Sequence, residues 1–138
     1  MTLKTLLIGA GAMALVAGAG TVAAATTTDA NPLLARWAGP FGGVPPWDKV
    51  KVEHLQPGLE AAIAEQLADV DRIANDPAPP TFENTIAAME RAGRTLDRAG
   101  TIFGVYASTL NYEAVQAVER TMSPKFAELG DKIVQNEK

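Results

Sequence analysis

A chain of 138 residues, 47% of them hydrophobic, is of one-domain length and can build a modest core. Its 12 basic and 16 acidic residues give a formal net charge of -4, and no run of Lys or Arg interrupts that balance, which argues against nucleic acid as a partner. There is no cysteine, so disulfides and thiolate metal sites are excluded, while secreted and intracellular compartments stay equally open on redox grounds.

The first element is a charge-free apolar stretch, TLLIGAGAMALVAGAGTVAAA from Thr5 to Ala25, preceded by Lys4. Basic start, apolar middle and the small side chains Ala23 and Ala25 form the pattern of a secretory signal peptide cleaved after Ala25, so residues 1–25 are read as leaving the mature chain. Export to the periplasm or the medium follows, with no stable membrane anchor after cleavage. An uncleaved anchor would call for a more strongly apolar span with flanking charges or aromatics. Gly9, Gly11 and Ala14 fit G-x-G-x-x-A with Asp29 twenty positions after Gly9, but Asp29 lies in a polar run and no second strand follows, so a dinucleotide site is set aside.

Residues 26–53 read as an extended arm rich in Pro and Gly, in which ANPLLARW has room for one short turn. Trp37, Phe41 and Trp47 are expected to pin the arm to a folded body by burying their rings.

From His54, the period becomes helical and residues 54–138 form the folded region. Leu59, Ile63, Leu67, Val70 and Ala74 recur at steps of three or four, and Pro57 is compatible only with the first turn. The prolines at 77, 79 and 80 stop this helix, because proline fixes φ, donates no amide and disfavours helix in the preceding residue. Thr81 then stands as N-cap of a second helix, with Glu83 at its positive end. A single seam is expected through Phe82, Ile86, Met89, Gly93, Leu96, Gly100, Phe103, Ala107 and Leu110, with close helix packing at the glycines and an outer Glu90–Arg94 pair. After a break at Asn111, Val115, Val118, Met122, Phe126, Leu129 and Ile133 continue the pattern. Pro124 within this run predicts a kink, or a restart capped by Ser123. The reading is all-α: antiparallel helical hairpins built from three long helices. The last helix runs into QNEK without a capping glycine, so the fold reads as unfinished.

Chemistry is sparse. His54 is the one histidine and stands at a helix start, where capping or packing suits it better than metal ligation or base catalysis. Ser108 and Ser123 lie in no G-x-S-x-G turn, and Asp69, Asp71 and Asp76 read as a solvated face. No catalytic, cofactor-binding or metal-ligating residue is assigned.

NPLL at 31–34, GPFGGVPPWDKV at 39–50, VEHLQPGLEAAIAEQ at 52–66, PPTFENTIAAMERAGRTLDR at 79–98 and ERTMSPKFAELGDKI at 119–133 resemble the N-terminal part of the thimet-oligopeptidase-like zinc peptidases. The likeness is nearest to the bacterial peptidyl-dipeptidases, also called dipeptidyl carboxypeptidases. It implies a mostly helical enzyme with a channel between two lobes, which releases C-terminal dipeptides from oligopeptides using zinc held by an H-E-x-x-H helix. That helix has no counterpart here. The resemblance therefore implies an incomplete lobe, inactive alone, whose partners are the missing C-terminal catalytic part and, in the full enzyme, oligopeptide substrates. A self-sufficient secreted helical bundle that binds a partner through an exposed seam is the alternative.

Overall fold

The computed structural model describes residues 31–138, so the proposed signal segment and its glycine motif lie outside the described residues. Helix α1 spans Val52–Ala74, followed by a π-helical turn at Phe82–Ile86 and the short α2, Ala87–Arg91. Helices α3, Arg94–Thr109, and α4, Glu113–Val134, complete the order. Among the described residues there is no β-strand, only an isolated bridge between Ala38 and Val44. The all-α expectation holds.

Helix directions follow from cross-contacts. The Thr95 hydroxyl donates to Glu65 and the Tyr106 hydroxyl to the Val50 carbonyl, so rising numbers on α3 meet falling numbers near α1, and the two are antiparallel. Lys125 donates to Glu60 and Lys138 to Asn75, so α4 runs with α1. The short Leu110–Tyr112 link reverses the chain between α3 and α4. In this up-down-up arrangement, α1 packs against both other long helices. Leu55, Leu59 and Ala62 from α1 meet Ala99, Ile102 and Tyr106 from α3 and Val115, Val118 and Met122 from α4.

The arm is part of this core, with Trp37 of the three expected aromatics packed against it and aliphatic residues buried deeper. Leu33, Leu34 and Val50 are buried, and Trp37 packs half-buried beside them. Phe41 instead projects fully into solvent from a loop closed by the Val44 N–H to Ala38 carbonyl bond, and Trp47 is 41% exposed. Aliphatic side chains do most of the pinning. The short turn in NPLL is present: Asn31 Oδ1 accepts from the Leu33 N–H, and the Asn31 carbonyl accepts from Leu34. The Asn31 amide also donates to the His54 carbonyl at 3.0 Å, tying the arm to the start of α1.

Helix α1 begins two residues before His54, which places Pro57 in its second turn rather than its first. The carbonyl left without an amide partner belongs to Glu53, an exposed residue. The buried face is broader than the expected one: Leu59 and Val70 are buried as expected and Ile63, Leu67 and Ala74 are half-buried, but Leu55, Gly58 and Ala62 are buried as well. Gly58 explains the added breadth: a Cβ there would stand 2.6 Å from Leu33 Cδ2, so the arm lies directly on the helix at this point.

The long seam from Phe82 to Leu110 is not one helix. Thr81 caps as expected, its Oγ1 accepting from the Asn84 N–H at 3.1 Å while Asn84 Oδ1 accepts from the Thr81 N–H at 2.7 Å. The next turn is π-helical, the Ala87 N–H reaching back to the Phe82 carbonyl. The chain then breaks at Ala92, which is extended, and Gly93, whose φ of 85° is left-handed and open to glycine at little steric cost. Phe82 and Ile86, displaced from the seam by this break, are 73% and 52% exposed. Glu90 and Arg94 no longer share a helix; Arg91 instead pairs with Glu83 at 2.8 Å. Gly100 has open space where its side chain would be, so it marks no close packing.

In α4, Pro124 is accommodated without a restart. The Ser123 hydroxyl donates to the Glu119 carbonyl one turn back and caps nothing.

Candidate functional site

The residues weighed for chemistry fall in separate places. His54 sits in the first turn of α1, where its Nδ1 accepts the Lys51 N–H at 3.1 Å. The ring is thereby a cap for the helix start. Asp69 bonds Arg72 on the next turn, Asp71 accepts from the Asn75 amide at 2.8 Å, and Asp76 accepts from the Ala78 N–H at 2.9 Å. The three carboxylates thus end α1 and shape the proline stop. Ser108 donates to the Val105 carbonyl and Ser123 to Glu119, each bonding its own helix.

No group of three or more His, Asp or Glu side chains converges to hold a metal ion among the described residues. The donor set that zinc would need, several nitrogen or carboxylate ligands around one point, does not fit what these residues offer. None of the described helices is long and apolar enough to cross a membrane.

The surface is more informative. Phe82 and Ile86 lie exposed on the π-helical turn, with Val134 exposed at the end of α4. Val70, Ile73, Pro80, Met89 and Ile133, with the polar Asp76, Asn84 and Thr85 among others, line a cleft of about 290 Å³ where the end of α1, the capped turn and the end of α4 come together. Sequence reading missed the exposure of Phe82 and Ile86 because it placed them in a buried seam. The signal available was the run of short polar residues at Thr81, Asn84 and Thr85, which favours local backbone bonding over regular helix.

No family model matches the chain. Two curated proteins are similar to it. The dipeptidyl carboxypeptidase of Salmonella typhimurium (strain LT2) is 28% identical over 106 residues, covering 77% of this chain and 15% of that protein. The dipeptidyl carboxypeptidase of Escherichia coli (strain K12) is 28% identical over 109 residues, covering 79% of this chain and 16% of its own length. The similarity therefore extends over most of the present sequence and a small share of either relative: this all-α chain is similar to a short stretch of each of these two dipeptidyl carboxypeptidases.

Proposed function

We propose that the chain forms the leading helical part of an exported zinc peptidase that removes dipeptides from the C-terminus of oligopeptides, and that it does not catalyse this reaction alone. The observation that carries this reading is the likeness to two dipeptidyl carboxypeptidases across more than three quarters of the chain. The exposed Phe82, Ile86 and Val134 support it, since large apolar side chains left in solvent suit a surface covered by the rest of a larger protein.

In such an enzyme, zinc supplies a Lewis acid and an activated water, and its ligands come from beyond the present residues. The contribution of this chain is architectural. The α1–α3 pair, closed at one end by the Tyr106–Val50 bond and at the other by the capped turn at Thr81, supplies a rigid wall for one side of a peptide channel.

The coding DNA past codon 138 tests this directly. An in-frame continuation encoding H-E-x-x-H is expected; a stop codon at that point contradicts the reading. Export is tested on the product made in a bacterium with a working secretion system. Mass spectrometry is expected to find Thr26 at the N-terminus, and intact Met1 on a membrane-embedded product would favour an anchor instead.

A further inference from the structure

A cavity of about 870 Å³ opens between the arm, α1 and the α2–α3 joint, and four of the chain's six arginines line it: Arg36, Arg91, Arg94 and Arg98. In a chain of net charge -4 this is a local reversal of sign. Glu65 shares the wall, accepting the Thr95 hydroxyl at 2.9 Å, and Glu83 pairs with Arg91, so two positive charges stay unmatched at the cavity among the described residues. Two of the lining residues also carry a buried donor with no hydrogen-bond partner among the described residues, Arg98 at Nε and Trp37 at its indole Nε1.

The geometry points to a binding groove for an extended peptide bearing acidic side chains at alternate positions. Guanidinium groups match carboxylates with paired, parallel hydrogen bonds. Arg94 and Arg98 are one turn apart on α3, which sets their Cβ atoms about 5–6 Å apart. Alternate side chains of an extended peptide recur about every 6.8 Å, close to that spacing. A compact phosphate presents its charge at one point and engages fewer of the spread arginines. Trp37 adds a flat ring against which a peptide backbone can lie. The groove does not depend on the peptidase reading, because its ligand is held through side chains and needs no free C-terminus.

Trp37 also provides the readout. In the full 138-residue chain carrying Trp47→Phe, Trp37 is the only tryptophan, and its emission is titrated with a blocked pentapeptide alternating glutamate and alanine. A saturable change is expected, weakened at least tenfold by combined Arg36→Glu and Arg94→Glu and altered less than twofold by Arg120→Glu, which lies on α4 outside the groove. Arg94→Gln alone removes charge without adding any and should give a smaller loss in the same direction. A lysine–alanine pentapeptide should not bind. Absence of saturation with the acidic peptide overturns the proposal, as does equal weakening by Arg120→Glu. Tighter binding of inorganic pyrophosphate than of the peptide would reassign the groove to phosphates.

Discussion

The phenol of Tyr106, buried on α3, donates a 2.7 Å hydrogen bond to the backbone carbonyl of Val50, fifty-six residues earlier in the chain. This one bond joins the arm, the start of α1 and the end of α3. Tyr106→Phe leaves the Val50 carbonyl without that partner and is expected to cost about 1–3 kcal/mol in chemical denaturation. Burial, with a smaller contribution from Tyr112, raises the Tyr106 phenol above the usual tyrosine value. A raised value means that folding favours the protonated form. The associated stability is complete below the unfolded tyrosine pKa and is lost as pH rises through the higher folded value. Alkaline unfolding should therefore begin at lower pH than in Tyr106→Phe when each is compared with its own neutral-pH stability.

Glycine substitutions separate contact from propensity. Alanine is ordinarily favoured over glycine inside a helix by about 1 kcal/mol. At Gly58 the added Cβ would stand 2.6 Å from Leu33 Cδ2 and 3.0 Å from Asn31 Nδ2, so Gly58→Ala is expected to lower the melting temperature and expose Trp37 as the arm lifts. At Gly100 nothing lies within 4 Å, and Gly100→Ala should raise the melting temperature. A differential melt of the two variants decides between them.

Where the core lies on α3 gives a third test. Ile102 is fully buried, whereas Phe103 is half-buried and stacks obliquely on Phe126 with ring centroids 6.4 Å apart. Ile102→Ala is expected to cost about 2–5 kcal/mol, and Phe103→Ala less, despite the larger ring removed. Arg94→Ala, on an exposed residue, should stay within about 0.5 kcal/mol of the parent.

These assignments show what periodicity can and cannot reveal. The helical class, the proline stop, the Thr81 cap, the outward Arg94 and the buried face of α4 were all legible, because each is fixed by residues a few positions apart. The burial of Leu55, Gly58 and Ala62 on α1 was not, since it depends on Leu33 settling over Gly58 from twenty-five residues away. The break at Gly93 was also hidden. A glycine at a seam position fits a close helix contact as well as a left-handed joint, and heptad spacing survives across the joint. The arginine groove was least visible: Arg36 and the three arginines of 91–98 look dispersed in sequence and meet only when the arm folds back.

The ion pair between Glu60 on α1 and Lys125 on α4 carries a modest acid dependence. Hydrogen bonds from Lys125 and then from Gln56 hold the Glu60 carboxyl below the usual glutamate value. A lowered value contributes stability above the unfolded glutamate pKa and loses it as pH falls through the lower folded value. Both side chains are partly in solvent, so the contribution is about 0.5 kcal/mol. Glu60→Gln should remove that part of the acid-limb slope in denaturation curves measured across the carboxylate range.

Assay of C-terminal dipeptide release tests the central claim most directly, using an oligopeptide substrate, the 138-residue chain and the product of the whole gene, each with and without a zinc chelator. The expected result is release by the whole product, abolished by the chelator, and none by the 138-residue chain. Chelator-sensitive release by the 138-residue chain itself, or no release by the whole product, would contradict the account.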